Sequence, residues 1–158
     1  MTKLSNPVDT FKTIIPPIVK RLGYGGLLPF VTLAAAVWVD SSRSILWGDA
    51  LLVYGAVILS FVGALHWGFA MSQSDMTAQQ RTHCFVWSVV PALVAWIALL
   101  VKYAISPKHA CLLLVAGFLI HFWQDKRLVK LVSMPIWYLP LRLRLTFVAC
   151  AALIVGVI

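Results

Sequence analysis

Glutamate is absent from this 158-residue chain, and its five acids are all aspartates: Asp9, Asp40, Asp49, Asp75 and Asp125. Charged residues make up 11%, against about a quarter in a soluble domain. So few wettable side chains cannot cover a hydrophobic core with a water-facing surface, which excludes an ordinary soluble globular domain. The three cysteines, Cys84, Cys111 and Cys150, are scattered and form no CxxC. That excludes a disulfide framework and leaves them as small apolar packing residues. Catalytic signatures are missing too, with no HExxH and no GxSxG. The expectation leans away from an enzyme.

Apolar residues supply 61% of the chain, and the mean hydropathy is +0.92. Five runs are long enough to cross a hydrocarbon layer about 30 Å thick: 22–39, 46–71, 82–103, 109–124 and 141–158. The sequence predicts an all-α polytopic membrane protein, a bundle of five transmembrane helices preceded by an amphipathic interfacial segment over residues 1–21. A net charge of +8 raises the question of nucleic acid, but the cations flank hydrophobic runs instead of forming one stripe interleaved with aromatics. No nucleic-acid partner is expected. The same cations set orientation. With the N-terminus inside, ten of thirteen Lys and Arg lie on the inner side, leaving Arg43, Lys102 and Lys108 outside. The expected location is a bacterial inner membrane, N-terminus cytoplasmic and C-terminus periplasmic.

Within residues 8–19, Phe11, Ile14, Ile15 and Ile18 fall near one helical face, as in a helix lying among headgroups. At the other end, Pro135 and Pro140 flank Trp137 and Tyr138, an aromatic pair suited to the interface, with Arg142 and Arg144 able to snorkel to phosphates. Ala56, Ser60 and Ala64 are spaced four apart in the second run, and Gly55 and Gly63 widen that smooth surface. Small residues let helices approach closely in lipid, so this run is expected at the bundle centre. Pro29 and Pro91 are expected to kink the first and third runs.

The polar residues converge at one level. His66 lies five residues before the expected inner end at Met71, roughly 7 Å deep. Beside it come Trp67, then His121 near the inner end of the fourth run and Asp125 one turn on. His83, Arg81, Arg142 and Arg144 belong to the same layer. Asp49 sits at the outer mouth of the second run, near a helix N-terminus. Ionisable residues inside a span are costly and mark candidate sites. His121 and Asp125 suit a proton-handling pair. His66 and His121 suit axial haem ligation or a quinone headgroup, and His66, His83 and Asp125 suit a metal. Packing histidines at the headgroup boundary are the plainer alternative. Three functions remain open: a non-enzymatic binder of a lipid, a quinone-like ligand or a partner complex at the inner leaflet, a small oligomeric transporter using the kinked spans with His66 and Asp125, and a haem-binding redox protein. Membrane lipids and a membrane-protein partner or second copy are the expected partners.

Five blocks carry a resemblance: LGYGGLLPF (22–30), YGAVILSFVGALHWG (54–68), WSVVPAL (87–93), GF (117–118) with Asp125 beyond it, and WYLPLRLRLT (137–146). On these the chain resembles a family of uncharacterised bacterial membrane proteins whose eukaryotic members include the mitochondrial transmembrane protein 69. The resemblance touches all five runs and omits the N-terminal segment. It implies that Tyr54, Ser60, Gly63, Trp67, Gly68, Pro91, Asp125, Trp137, Tyr138 and Arg142 lie on the family's pattern. It implies an inner-membrane home and supplies no activity.

Overall fold

The computed structural model describes residues 13–74 and 76–158. Most of the expected interfacial segment, residues 1–12, lies outside them. Every regular element among the described residues is helical. These are α1 (Pro17–Gly25), α2 (Leu28–Val39), a 3-10 turn (Ser41–Arg43), α3 (Ser44–Ser72), α4 (Ala78–Ala104), α5 (Pro107–Leu131) and α6 (Tyr138–Val157).

Local sequence sets the boundaries. Pro16 is held in an extended conformation, φ −58 and ψ 136, by the proline that follows it, and Pro17 opens α1. The first apolar run thus becomes helical five residues earlier than expected. Its interruption falls at Gly26 and Leu27, just ahead of Pro29, which stands in the first turn of α2. Proline has no N–H to return to the carbonyl four residues back, so the ladder lapses here. Tyr54 of α3 donates its hydroxyl to the Gly26 carbonyl at 2.9 Å. Pro91, in contrast, lies inside α4 without ending it.

The α3–α4 turn is closed from both sides. Thr77 and Gln80 form a capping box at the start of α4. The Arg81 guanidinium donates to the carbonyls of Ala70 (2.6 Å) and Gln73 (2.9 Å) at the end of α3. A cation at a helix C-terminus also meets the negative end of its dipole. Ser106 caps α5 by accepting from the His109 backbone N–H, and Pro107 begins the helix.

From α2 onward each helix packs on the next, α2 also packs on α6, and α3 touches α2, α4, α5 and α6. The expected central helix is therefore α3. Leu52, Ala56 and Leu59 of α3, Ala95 and Ala98 of α4, Leu114 of α5 and Leu153 of α6 build the core. Gly55, Ala56 and Gly63 are buried in it, Ser60 is half-buried and donates back to the Ala56 carbonyl, and Ala64 is exposed. The close-packed face is thus Gly55, Leu59, Gly63 and His66 rather than the Ala56–Ser60–Ala64 line. A Cβ at Gly63 would stand 2.7 Å from the Pro91 ring, and one at Gly117 would stand 2.7 Å from Leu59.

Among the described residues, four helical segments are long and apolar enough to cross a membrane: Pro17–Val39, Ser41–Ser72, Ala78–Ala104 and Tyr138–Val157. The exterior fits lipid, with Trp38, Phe61, Trp96 and Phe147 all largely exposed. α5 falls short by composition for a local reason. Its C-terminal half carries buried His121, Gln124 and Asp125 together with exposed Lys126, Arg127 and Lys130, and its first turn carries Lys108 and His109.

At the end of the bundle away from His66, Asp49 pairs with Lys102 at 2.8 Å, so its partner is a cation of the neighbouring helix rather than a helix terminus. Asp40 accepts from Ser42 Oγ (2.6 Å) and Trp47 Nε1 (3.2 Å). These two bonds hold its carboxyl below its ordinary value, Ser42 contributing most.

Candidate functional site

The site is assembled by four helices around one carboxylate. On α5, His121 and Asp125 stand one turn apart and share the inward face, each 1% exposed or less. On α6, Tyr138 and Arg142 have the same spacing and both reach across to Asp125. Arg142 Nε donates to Asp125 Oδ2 at 2.8 Å, and the Tyr138 hydroxyl donates to Oδ1 at 3.3 Å. From α3, His66 brings Nε2 to 3.8 Å from the same Oδ1, the distance at which His121 Nε2 also lies. The imidazoles meet edge to face, 4.9 Å between ring centres. From α4, Trp87 donates its indole N–H to His121 Nδ1 at 3.1 Å. Counting from Ser72, where α3 ends, His66 lies about 9 Å along the helix.

An aspartate fully enclosed in apolar helices needs a cation close by, because an unpaired buried charge is strongly destabilising. That requirement overturns two sequence expectations. Arg142 does not snorkel to phosphates but turns inward and is 92% buried, while Arg144, two residues on, faces outward. Tyr138 does not join an interfacial belt. It is drawn to Asp125, with its ring edge-on to Phe69.

Of the residues singled out from sequence, His66, His121, Asp125, Arg142 and Tyr138 come together. His83 and Arg144 are exposed. Trp67 is half exposed, its N–H directed to Met71 Sδ at 3.1 Å and its ring against Phe85, so it flanks the site without touching it. Trp87 and Gln124 belong to the site and were not singled out. Trp87 was recoverable in part, since it stands one turn from Pro91 in the N-terminal half of α4, level with His121. Gln124 precedes Asp125 directly and was masked by it.

Asp125 and Arg142 cancel each other's charge. Around them, four buried nitrogens have no hydrogen-bond partner among the described residues: Nδ1 and Nε2 of His66, Nε2 of His121 and one terminal nitrogen of Arg142. A cleft lined by His83, Cys84, Trp87, Gln124 and Arg127 reaches His66. One ligating atom each from His66, His121 and Asp125 lie within 4.8 Å of one another, a metal-like grouping that includes His121 where the sequence suggested His83. A porphyrin has no room between the two touching imidazoles in this arrangement.

Apolar helices folded back and forth around α3, enclosing an ion pair at one end, are the build of a multi-pass membrane protein. Residues 15–158 match the family described as protein of unknown function, DUF3429, and the chain belongs to it. It is similar to transmembrane protein 69 of Xenopus tropicalis, at 35% identity over 133 residues, covering 84% of this chain and 51% of that protein. To transmembrane protein 69 of Mus musculus it is 26% identical over 133 residues, covering 84% and 52%. The chain therefore spans about half the length of the curated relatives it matches. No solved structure matches it.

Proposed function

We propose that this is a five-span protein of the bacterial inner membrane, N-terminus inside, which works without catalysis by holding the polar head of a membrane-soluble molecule at the inner leaflet. The fifth span is α5. At 25 residues it extends roughly 37 Å, enough to cross, and its polar residues His121, Gln124 and Asp125 are buried inside the bundle rather than turned to lipid. Orientation rests on the excess of Lys and Arg at the His66 end.

The observation that carries the binding reading is the set of four unpartnered buried nitrogens around the Asp125–Arg142 pair. Buried polar groups are paired as a rule, and each one left without a partner costs about 1–3 kcal/mol. A polar head that met several of them would recover that loss. The level of the site also separates this reading from transport. A carrier needs a polar cavity near the midplane, and there the bundle is filled by Ala56, Leu59, Ala95, Ala98 and Leu114.

The test is organic extraction of protein purified in mild detergent, with mass spectrometry of what comes away. Wild type is expected to retain one class of lipid-soluble molecule in near-stoichiometric amount, and His66→Leu, if it still elutes as a folded species, to lose most of it. Equal retention by both would sink the reading.

A further inference from the structure

We propose that the head taken by this site is an uncharged oxygen acceptor, a carbonyl, and that the His66–His121–Asp125 grouping is not a metal centre. This rests on the binding reading above and assigns its ligand class.

Trp87 decides the chemistry of His121. An indole N–H can only donate, and it points at His121 Nδ1 from 3.1 Å. Nδ1 must therefore be bare, and a neutral imidazole with a bare Nδ1 carries its proton on Nε2. His121 is a fixed donor at Nε2, the atom that faces Asp125. A metal at Nε2 would move the proton to Nδ1, where a ligating histidine normally gives it to a carboxylate, carbonyl or water. Here it would meet another donor. Arg142 opposes a cation as well, placing its own charge against Asp125 Oδ2 at 2.8 Å.

An anionic head fares no better, since it would face the Asp125 carboxylate in a site whose net charge is already zero. What remains unpaired is chiefly donors. The free Arg142 nitrogen donates, His121 Nε2 donates, and a neutral His66 adds one donor and one acceptor. Three donors against one acceptor suit a carbonyl oxygen. A membrane offers such oxygens from two sources, a quinone-like ring or a glycerolipid ester.

The experiment is long-range proton–nitrogen correlation of protein labelled with nitrogen-15 at histidine, in nanodiscs of diether phospholipid, with signals assigned through His66→Asn and His121→Asn. At rest, His121 is expected to show a protonated Nε2 and a bare Nδ1. A protonated Nδ1 overturns the assignment. A short-chain benzoquinone is expected to shift the His66 and His121 signals saturably if a quinone is the source. Exchange into diester phospholipid is expected to shift them without quinone if the source is an ester. Zn2+ is expected to leave His121 unmoved in wild type and to shift it in Trp87→Phe, where the donor opposing Nδ1 is gone. Zn2+ moving both histidines of the wild type would overturn the carbonyl and leave a binding site standing. If neither carbonyl source nor Zn2+ moves either histidine, the binding reading itself falls.

Discussion

Replacing Gly63 by alanine tests the packing on which the site is built. The new Cβ would lie 2.7 and 2.8 Å from Cβ and Cγ of Pro91 and 3.2 Å from its Cδ. Carbon atoms settle at about 3.5–4.0 Å, so roughly 1 Å of overlap must be relieved. A leucine tip would swing aside, but a pyrrolidine ring is tied to its own backbone. Relief must come from separating α3 and α4. Overpacking of this kind costs about 1–3 kcal/mol, while alanine recovers about 0.5–1 kcal/mol of helix preference over glycine. The steric term wins, and a net loss of about 1–2 kcal/mol is expected. Reversible unfolding in mixed micelles, followed by tryptophan fluorescence, reads the difference. Pro91→Gly, which takes away the Cβ at 2.7 Å together with the ring, should remove most of the added penalty, giving a coupling of about 1 kcal/mol between the two positions. Gly68→Ala is the control, with nothing within 4 Å of its Cβ, and should be neutral or slightly stabilising. A Gly63→Ala protein as stable as wild type, or equally destabilised in the Pro91→Gly background, would refute the reasoning.

Asp125→Leu and Arg142→Met should each cost about 3–5 kcal/mol by leaving a buried charge alone, and the double replacement should cost less than either. Thermal melts in detergent check this, and additive losses would contradict it. Asp40 gives a pH dependence at the end of the bundle away from His66. Its carboxyl is lowered in the folded protein by Ser42 and Trp47. The stability it contributes is therefore present above the ordinary value of 3.8 and is lost as pH falls toward the lowered one. In Ser42→Ala, nuclear magnetic resonance titration should find that carboxyl moved back up, and an unchanged titration would count against the Ser42 bond as cause.

The apolar runs and the positions of Gly63, His66 and Asp125 were legible because membrane helices announce themselves by length and by their rare polar residues. Partner choice was not. Arg142 and Arg144 look alike in sequence, and only the enclosed Asp125 carboxylate selects the first. Likewise nothing in the order of residues marks Trp87 as the donor to His121, since that contact depends on how α4 sits against α5. Ala64 continues a regular small-residue spacing yet is exposed, while the same spacing from Gly55 through Leu59 to Gly63 stays buried, because which line of a helix meets its neighbours is decided by packing.

The closure of α2 against α6 carries a consequence for the order of events during synthesis. Phe30 and Ala34 of α2 are buried, with Ala34 against Gly156, and Trp38 donates to the Val155 carbonyl across 117 residues of sequence at 3.0 Å. A ribosome adding about 5–20 residues per second makes α2 many seconds before α6 exists to meet it. Through that interval α2 has α3 as a neighbour and only lipid where α6 will stand. α6 completes the cover of α2, and the same arrival brings Arg142 to Asp125, so the bundle closes and its buried acid is neutralised in one step.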